Sequence, residues 1–333
     1  MIKISKNSPY FSIIIPCYNC ESYINTAIMS VLRQSFDSWE IIAVNDGSTD
    51  STLNILQKYA SEDKRIKLYS KENGGYCSAV NLGLNQVSGK YFTFMGSDDS
   101  LVNDMLAKIY GEINLCEPDM VGFRTVKYRD GQNIGIDSFT AFDTGVYENN
   151  TTIKEFQRKH RTHARILCVR DTSKFYKSEL LGDLRYFGKY GFDADGIFAM
   201  LFTHKCISFS CVPVDGYNWT LRSNSLSGKK ENLDIYTDRL NNWMKFYKIL
   251  ENVDRSLITD NEIDYVDYYY DAVWKYAEML SLHDSHIKNL KKHTKYIFHI
   301  MRKYKITVGN SFKEKIINYL RLLFPVSEIK SKK

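Results

Sequence analysis

The chain has 333 residues, 44% hydrophobic and 25% charged, which is enough apolar side chain for a large core and excludes a polar, disordered polymer. Its net charge of +6 is uneven: thirteen Lys or Arg against Glu314 and Glu328 give +11 from His286 to Lys333, leaving −5 on the residues before them. Seven scattered cysteines form no disulfide framework and Met1 to Pro9 lack the apolar stretch of a signal peptide, so the expected setting is cytoplasmic.

Phe11 to Ile15 is a near-continuous apolar run, closed by Pro16-Cys17-Tyr18-Asn19, and predicts a buried strand. Ile24, Ala27, Ile28, Val31 and Leu32 then recur at helical spacing. The unit repeats. Trp39 to Val44 reads as a strand, Asn45-Asp46-Gly47-Ser48-Thr49-Asp50 as a turn with a supply of helix caps, and Leu53, Ile55, Leu56 and Tyr59 as a helix. A third unit runs from Ile66-Lys-Leu-Tyr69 through Asn73-Gly74-Gly75 to a helix with Ala79, Val80, Leu82, Leu84 and Val87. The fourth strand, Tyr91 to Met95, ends in Gly96-Ser97-Asp98-Asp99, with a helix expected from near Val102. This alternation predicts a doubly wound α/β fold, a mostly parallel sheet with helices on both faces and right-handed crossovers. All four loops then meet at one sheet edge.

That edge is where open α/β sheets take ligands. Asp98 and Asp99 place hard anionic oxygens there, and Asp46 adds an acceptor suited to a base or ribose. The first loop has none of the glycines of a dinucleotide fingerprint or Walker loop, so a diphosphate held here needs another counter-charge. Mn²⁺ or Mg²⁺ on Asp98 supplies one. Each acid also has a structural alternative: Asp46 as a turn former, Asp98 and Asp99 as caps of the helix that follows. Cys17-x-x-Cys20 lacks a second pair at zinc-ligand spacing, and His160 and His163 show no His-Glu-x-x-His pattern, so neither set is read as a metal site.

Farther on, Ser227-Gly-Lys-Lys-Glu-Asn232 breaks the pattern and divides the chain into a ligand-binding domain, residues 1–228, and a helical extension, residues 229–333. The extension carries aromatic stripes at helical spacing, Trp243, Met244, Tyr247 and Leu250, then Val266, Tyr269, Tyr270, Val273, Trp274 and Ala277, which are read as packing faces. In the basic tail Ile287, Leu290, Ile297, Ile300, Met301 and Tyr304, and again Phe312, Ile316, Ile317, Leu320, Leu323 and Phe324, predict amphipathic helices suited to an anionic membrane surface.

The segments Ser12-Ile-Ile-Ile-Pro-Cys-Tyr-Asn19, Ile41-Ile-Ala-Val-Asn-Asp-Gly-Ser-Thr-Asp50, Glu72-Asn-Gly-Gly75 with Asn81-Leu-Gly-Leu84, and Gly89-Lys-Tyr91 leading to Ser97-Asp98-Asp99 resemble the successive motifs of family 2 glycosyltransferases. The resemblance implies a GT-A fold and inverting transfer from a nucleotide-sugar, most often UDP-linked. It also implies roles. Pro16, Tyr18, Asn19, Glu21, Asp46, Asn73, Gly74, Gly75 and Ser97 would form the nucleotide site, with Tyr18 on the uracil ring, Pro16 shaping the pocket and Asp46 accepting from the base. Asp98 matches the last acid of the family's Asp-x-Asp and would hold the cation. Two positions depart from the pattern: Gly96 stands where the first acid is usual, and Val80 where Arg is usual.

In the second half, Lys174-Phe-Tyr-Lys-Ser-Glu-Leu-Leu181 and Gly191-Phe-Asp-Ala-Asp-Gly-Ile-Phe-Ala-Met-Leu201 resemble the family's Lys-x-Tyr segment and its Glu-Asp-x-x-Phe helix, with Ala194 in place of Glu. By that match Asp195 is the catalytic base, Asp193 its near competitor. Arg222-Ser-Asn-Ser225 resembles the Arg-x-x-Ser segment, and Asp99, Lys174 and Arg222 are candidate contacts to diphosphate or acceptor. The expected partners are a UDP-sugar donor, a glycan or lipid-linked glycan acceptor, and the inner face of the cytoplasmic membrane. Nucleic acid is not expected, because the crevice acids would repel a polyanion. A relative that has lost catalysis and only binds nucleotide-sugar is the alternative that Gly96 raises.

Overall fold

The computed structural model describes residues 8–137, 140, 148–153, 155–156, 167, 170–191, 193–222, 233–251 and 284–303. His160, His163 and the stripes at Val266 to Ala277 and Tyr304 to Phe324 lie outside them. The chain divides into two compact units, Met1–Lys229 and Lys230–Lys333.

In the first unit, β1 (Phe11–Cys17) is buried on both faces because it is central: β2 (Trp39–Asp46) and β4 (Tyr91–Phe94) flank it in parallel, Phe11 opposite Trp39 and Tyr91. β3 (Ile66–Lys71) lies parallel outside β2. The helices between them are those expected. α1 (Ile24–Leu32) buries Ile24, Ala27, Ile28 and Val31; α2 (Thr52–Glu62) buries Leu56; α3 (Tyr76–Leu84) buries Ala79, Val80 and Leu84. The order β3-β2-β1-β4 reverses direction between β1 and β4, the switch point where such sheets open a crevice.

Beyond β4 the sheet turns mixed. The strands run on from β4 through β9 (Lys174–Lys177), β6 (Met120–Arg129) and β10 (Ser208–Leu221) to β5 (Ser100–Leu101), with β9 antiparallel to both β4 and β6, and β10 parallel to β6. β7 (Gln132–Ile136) pairs β6, and β8 (Glu148–Thr152) pairs β10. Parallel pairing therefore holds for the four strands that carry the expected loops.

Three features of this half set the site. Ser100–Leu101 forms β5, antiparallel to Asn218 and Tyr217 of β10, so the helix expected from Val102 begins later, as α4 (Met105–Cys116). Asp104, at φ 60°, is its N-cap, and neither Asp98 nor Asp99 caps it. Bulges between Val212 and Tyr217 shift the register of β10 and bring its last residues beside the β4 loop. Finally, α5 (Ala194–Thr203) is fastened by an aromatic cluster, Phe198 and Phe202 against Phe92, Phe94, Tyr176 and Tyr186, with Phe198 stacked on Tyr186 at 4.9 Å. Such ring pairs contribute about 0.5–1.5 kcal/mol each beyond their area.

In the second unit, α6 (Leu233–Leu250) buries Trp243, Met244, Tyr247 and Leu250, and α7 (Asp284–Lys303) packs against it. Ile297 and Ile300 of α7 are buried while Lys292, Lys295, Arg302 and Lys303 are exposed. That part of the predicted apolar stripe faces protein, so the basic face of α7 is what meets solvent. Among the described residues no helix is long and apolar enough to cross a membrane.

Candidate active site

The first three loops are laced to one another by the residues that the motifs singled out. Asn19, at φ 47°, accepts the Thr49 N–H on Oδ1 (2.8 Å) and donates its own N–H to Ser48 Oγ (3.1 Å). Glu21 accepts the Ser51 N–H (2.7 Å) and donates its N–H to Asp50 (3.1 Å). Asp46 is buried at the end of β2, where its carboxylate accepts the N–H groups of Gly74 (3.0 Å) and Gly75 (2.9 Å) and the Lys71 ammonium (2.6 Å). Asn73 donates to the Asp46 carbonyl (3.0 Å). Asn19, Glu21, Asp46, Asn73, Gly74 and Gly75 thus build the rim. Tyr18 stands out from it, 49% exposed, with its ring open to stacking; Pro16 is half-buried in β1.

The two acids after β4 have opposite orientations. Asp99 turns inward: its Oδ2 accepts the Tyr217 hydroxyl (2.6 Å) and its Oδ1 the Thr220 N–H (2.8 Å), while Gly96 N–H donates to the Tyr217 oxygen (2.9 Å). Burial, with Asp98 close by, pushes its carboxyl up to about 7. Asp99 therefore anchors the loop from beneath and is not a wall of the crevice. It also explains Gly96, since a Cβ there would stand 2.4 Å from Asp99 Oδ2. Asp98 is only partly buried, and its Oδ2 accepts Arg222 Nε (2.8 Å) and Nη2. The Arg222 guanidinium lies 4.0 Å over the Tyr23 ring. Ser97 hydrogen-bonds Cys20, whose thiol is held below its usual range chiefly by Cys17.

Asp195 sits in the first turn of α5, half-buried; burial raises its pKa, opposed by the Arg170 charge. The Tyr76 hydroxyl lies within electrostatic reach of Asp171, Asp195 and Asp99, so the α5 acid and the β4 loop share one neighbourhood. Beneath it, Asp171 is buried against the Tyr186 hydroxyl and is pushed up to about 7 by burial and by Asp195. Lys174 is fully buried, its ammonium donating to the Arg170 carbonyl, and its charge bears on both Asp171 and Asp195. Lys174 is thus an internal counter-charge to these two acids. Asn81 ties this region to α3: Nδ2 donates to the Tyr186 carbonyl (3.0 Å) and Oδ1 accepts the Tyr186 N–H (2.8 Å).

Sequence reasoning missed Tyr217, Thr220, Tyr23, Asp171 and Tyr186. The partners Asp99 and Tyr217 lie 118 residues apart, and nothing local in Tyr217-Asn-Trp-Thr220 announces the contact.

Among the described residues no three His, Cys, Asp or Glu side chains converge as a metal cage. The donor chemistry still fits a hard divalent cation carried by substrate: Mn²⁺ or Mg²⁺ is held by one or two carboxylates plus phosphate oxygens and water, and Asp98 offers one carboxylate, paired here with Arg222.

A family model described as Glycosyl transferase family 2 matches residues 12–185, more than half of the chain. Glycosyltransferase GlyA of Streptococcus pneumoniae serotype 4 is 31% identical over 186 residues, 55% of this chain and 26% of GlyA. The putative teichuronic acid biosynthesis glycosyltransferase TuaG of Bacillus subtilis is 45% identical over 101 residues, 30% of this chain and 40% of TuaG; Pasteurella multocida chondroitin synthase is 32% identical over 160, 47% and 15%. The chain thus spans well under half the length of these relatives. The crystal structure of S. aureus TarS 1-349 in complex with UDP-GlcNAc superposes with a TM-score of 0.62 at 21% identity, covering 94% of this chain and 80% of that one, which gives the fold as GT-A. With the motif loops gathered at the carboxyl edge of that sheet, the chain belongs to glycosyl transferase family 2.

Proposed function

We propose that the protein is an inverting, metal-dependent glycosyltransferase that moves a hexose or N-acetylhexosamine from a UDP-sugar to a hydroxyl of a growing capsule, lipopolysaccharide or other surface glycan. One observation carries the reading: Asp98 and Arg222 lie side by side at the switch point of the sheet, an anion for a cation and a cation for an anion, matched to a metal-bound diphosphate. Relatives named for chondroitin and teichuronic acid synthesis, and TarS with UDP-GlcNAc, support the donor and polymer classes.

In this mechanism Tyr18 stacks on the uracil, on the rim that Asn19, Glu21, Asp46 and Asn73 hold rigid. Asp98 would hold the cation, which would supply charge neutralisation for a diphosphate leaving group. Asp195 takes the acceptor hydroxyl proton as the acceptor oxygen bonds to the anomeric carbon and the carbon–oxygen bond to UDP breaks on the opposite face. Burial of Asp195 raises its basicity for that task. Transfer from UDP-sugars with Mn²⁺ tests the proposal: D98A and D195N should each lose about 10²–10⁴-fold in rate, the range for charge and proton-transfer groups, and turnover equal to wild type in both removes it.

The proposal extends to location. The exposed Lys292, Lys295, Arg302 and Lys303 of α7, with the basic residues that follow, suit adsorption at the anionic inner face of the cytoplasmic membrane, where a lipid-linked acceptor would be met.

A further inference from the structure

Three elements converge on Arg222. The β4 loop brings Asp98, the turn before α1 brings Tyr23, and the end of β10 brings the arginine itself. Both Nε and Nη2 point at the same Asp98 oxygen, so the guanidinium covers one edge of the carboxylate while its central carbon lies over the Tyr23 ring. Three-quarters of the Arg222 side chain and more of Asp98 are shielded from water, which strengthens the pair above a surface contact. With glycine at position 96, and Asp99 committed to Tyr217 and Thr220, Asp98 is the one acid of the β4 loop left partly open, and it is held by an arginine.

We propose that Arg222 is an exchangeable counter-cation: it occupies Asp98 until a divalent cation arrives on a nucleoside diphosphate, then gives up the carboxylate and turns its freed donors to the diphosphate. The inference rests on Asp98 as the cation ligand of the proposed function. Its consequence is thermodynamic coupling. A bare cation must displace a guanidinium without compensation, whereas a cation carrying phosphate oxygens returns to Arg222 the charged hydrogen bonds it loses. The free protein therefore binds metal weakly and the metal–nucleotide complex well, and Arg222 has opposite effects on the two. Tyr23 keeps the guanidinium parked over its ring.

The test measures binding, with no turnover. Mn²⁺ affinity is read from the electron paramagnetic resonance of free Mn²⁺, first without nucleotide, and UDP affinity is read by calorimetry at saturating Mn²⁺, for wild type, R222A, R222K and Y23L. Without nucleotide, R222A should bind Mn²⁺ about tenfold more tightly than wild type, the fold-change expected for removing one close competing charge. With Mn²⁺ saturating, the same variant should bind UDP about tenfold more weakly. R222K keeps the charge without the planar fork and should fall between the two, and Y23L should move Mn²⁺ affinity in the direction of R222A. A merely structural Arg222 would lower both affinities together. Mn²⁺ affinity of R222A equal to or below that of wild type overturns the exchange, even where UDP binds wild type as proposed. UDP affinity of R222A equal to wild type overturns it as well. Tighter Mn²⁺ binding by R222A in a protein to which UDP does not bind supports competition at Asp98 but overturns both the hand-over and the donor assignment.

Discussion

Replacing Gly96 with alanine adds one methyl group where Asp99 already sits. The backbone at Gly96 is not left-handed, so alanine meets no conformational penalty and the effect is steric alone. Its Cβ would lie 2.4 Å from Asp99 Oδ2, 3.0 Å from Asp98 Oδ1 and 3.1 Å from Asp99 Cγ. To reach ordinary van der Waals separation Asp99 must retreat by roughly 1 Å. It has two bonds to lose in doing so, at 2.6 Å to Tyr217 and 2.8 Å to Thr220. A hydrogen bond to a charged group contributes about 1.5–3 kcal/mol, so G96A should destabilise the first unit by about that amount. At roughly 2–4 °C per kcal/mol for a domain of this size, the melting temperature falls by about 3–12 °C. Urea denaturation followed by circular dichroism measures it. G111A is the control: no atom lies within 4 Å of a Cβ at Gly111 in α4, and this substitution should stabilise by about 0.5–1 kcal/mol. G96A within about 0.5 kcal/mol of wild type refutes the steric account, and so does an undiminished penalty in a D99A background.

Burial and the Asp195 charge push the Asp171 carboxyl up from its ordinary 3.8 to about 7, so the native state holds its proton to higher pH than the unfolded one. Its unfavourable ionisation should make stability fall as pH rises from about 4 to 7, and D171N should lessen that slope in denaturation curves measured across the range, Asp99 keeping the remainder. Y18A removes the half-exposed ring and should weaken UDP binding by about tenfold, as loss of base–aromatic stacking does, with the melting temperature unchanged; calorimetry checks it. Binding to anionic vesicles should drop steeply between low and physiological salt and vanish on removal of the residues after His286, as read by pelleting; salt-independent binding excludes adsorption through the basic face.

The first hundred residues were legible because their strands are buried on both faces and so read as unbroken apolar runs, and because each ends in a loop of distinctive residue types. The second half was less so. β9 inserts between β4 and β6 from a point more than seventy residues later than β4, and no periodicity encodes such a neighbour. The acids show the same divide within the site. Asp98 and Asp99 are adjacent and alike in sequence, yet one faces a guanidinium and the other a buried tyrosine, a distinction set by the register of β10. Lys174 read as a cationic contact for ligand because it opens the Lys-x-Tyr segment; its burial, with its charge bearing on Asp171 and Asp195 and its ammonium on the Arg170 carbonyl, was not legible there.

The bulges in β10 make chain length itself a constraint. Between Val212 and Tyr217 the strand takes in residues that β6 does not match one for one, and only then do Tyr217, Thr220 and Arg222 fall opposite the loop they serve. Deleting a single residue there would rotate every later side chain to the opposite side of the strand, exposing a tyrosine and an arginine and leaving two aspartates without partners. The β6–β7 hairpin, with exposed Asp130 and Gly131 at its tip, sits outside that constraint, whereas an in-frame deletion between Val212 and Tyr217 would take the partners of Asp98 and Asp99 away together.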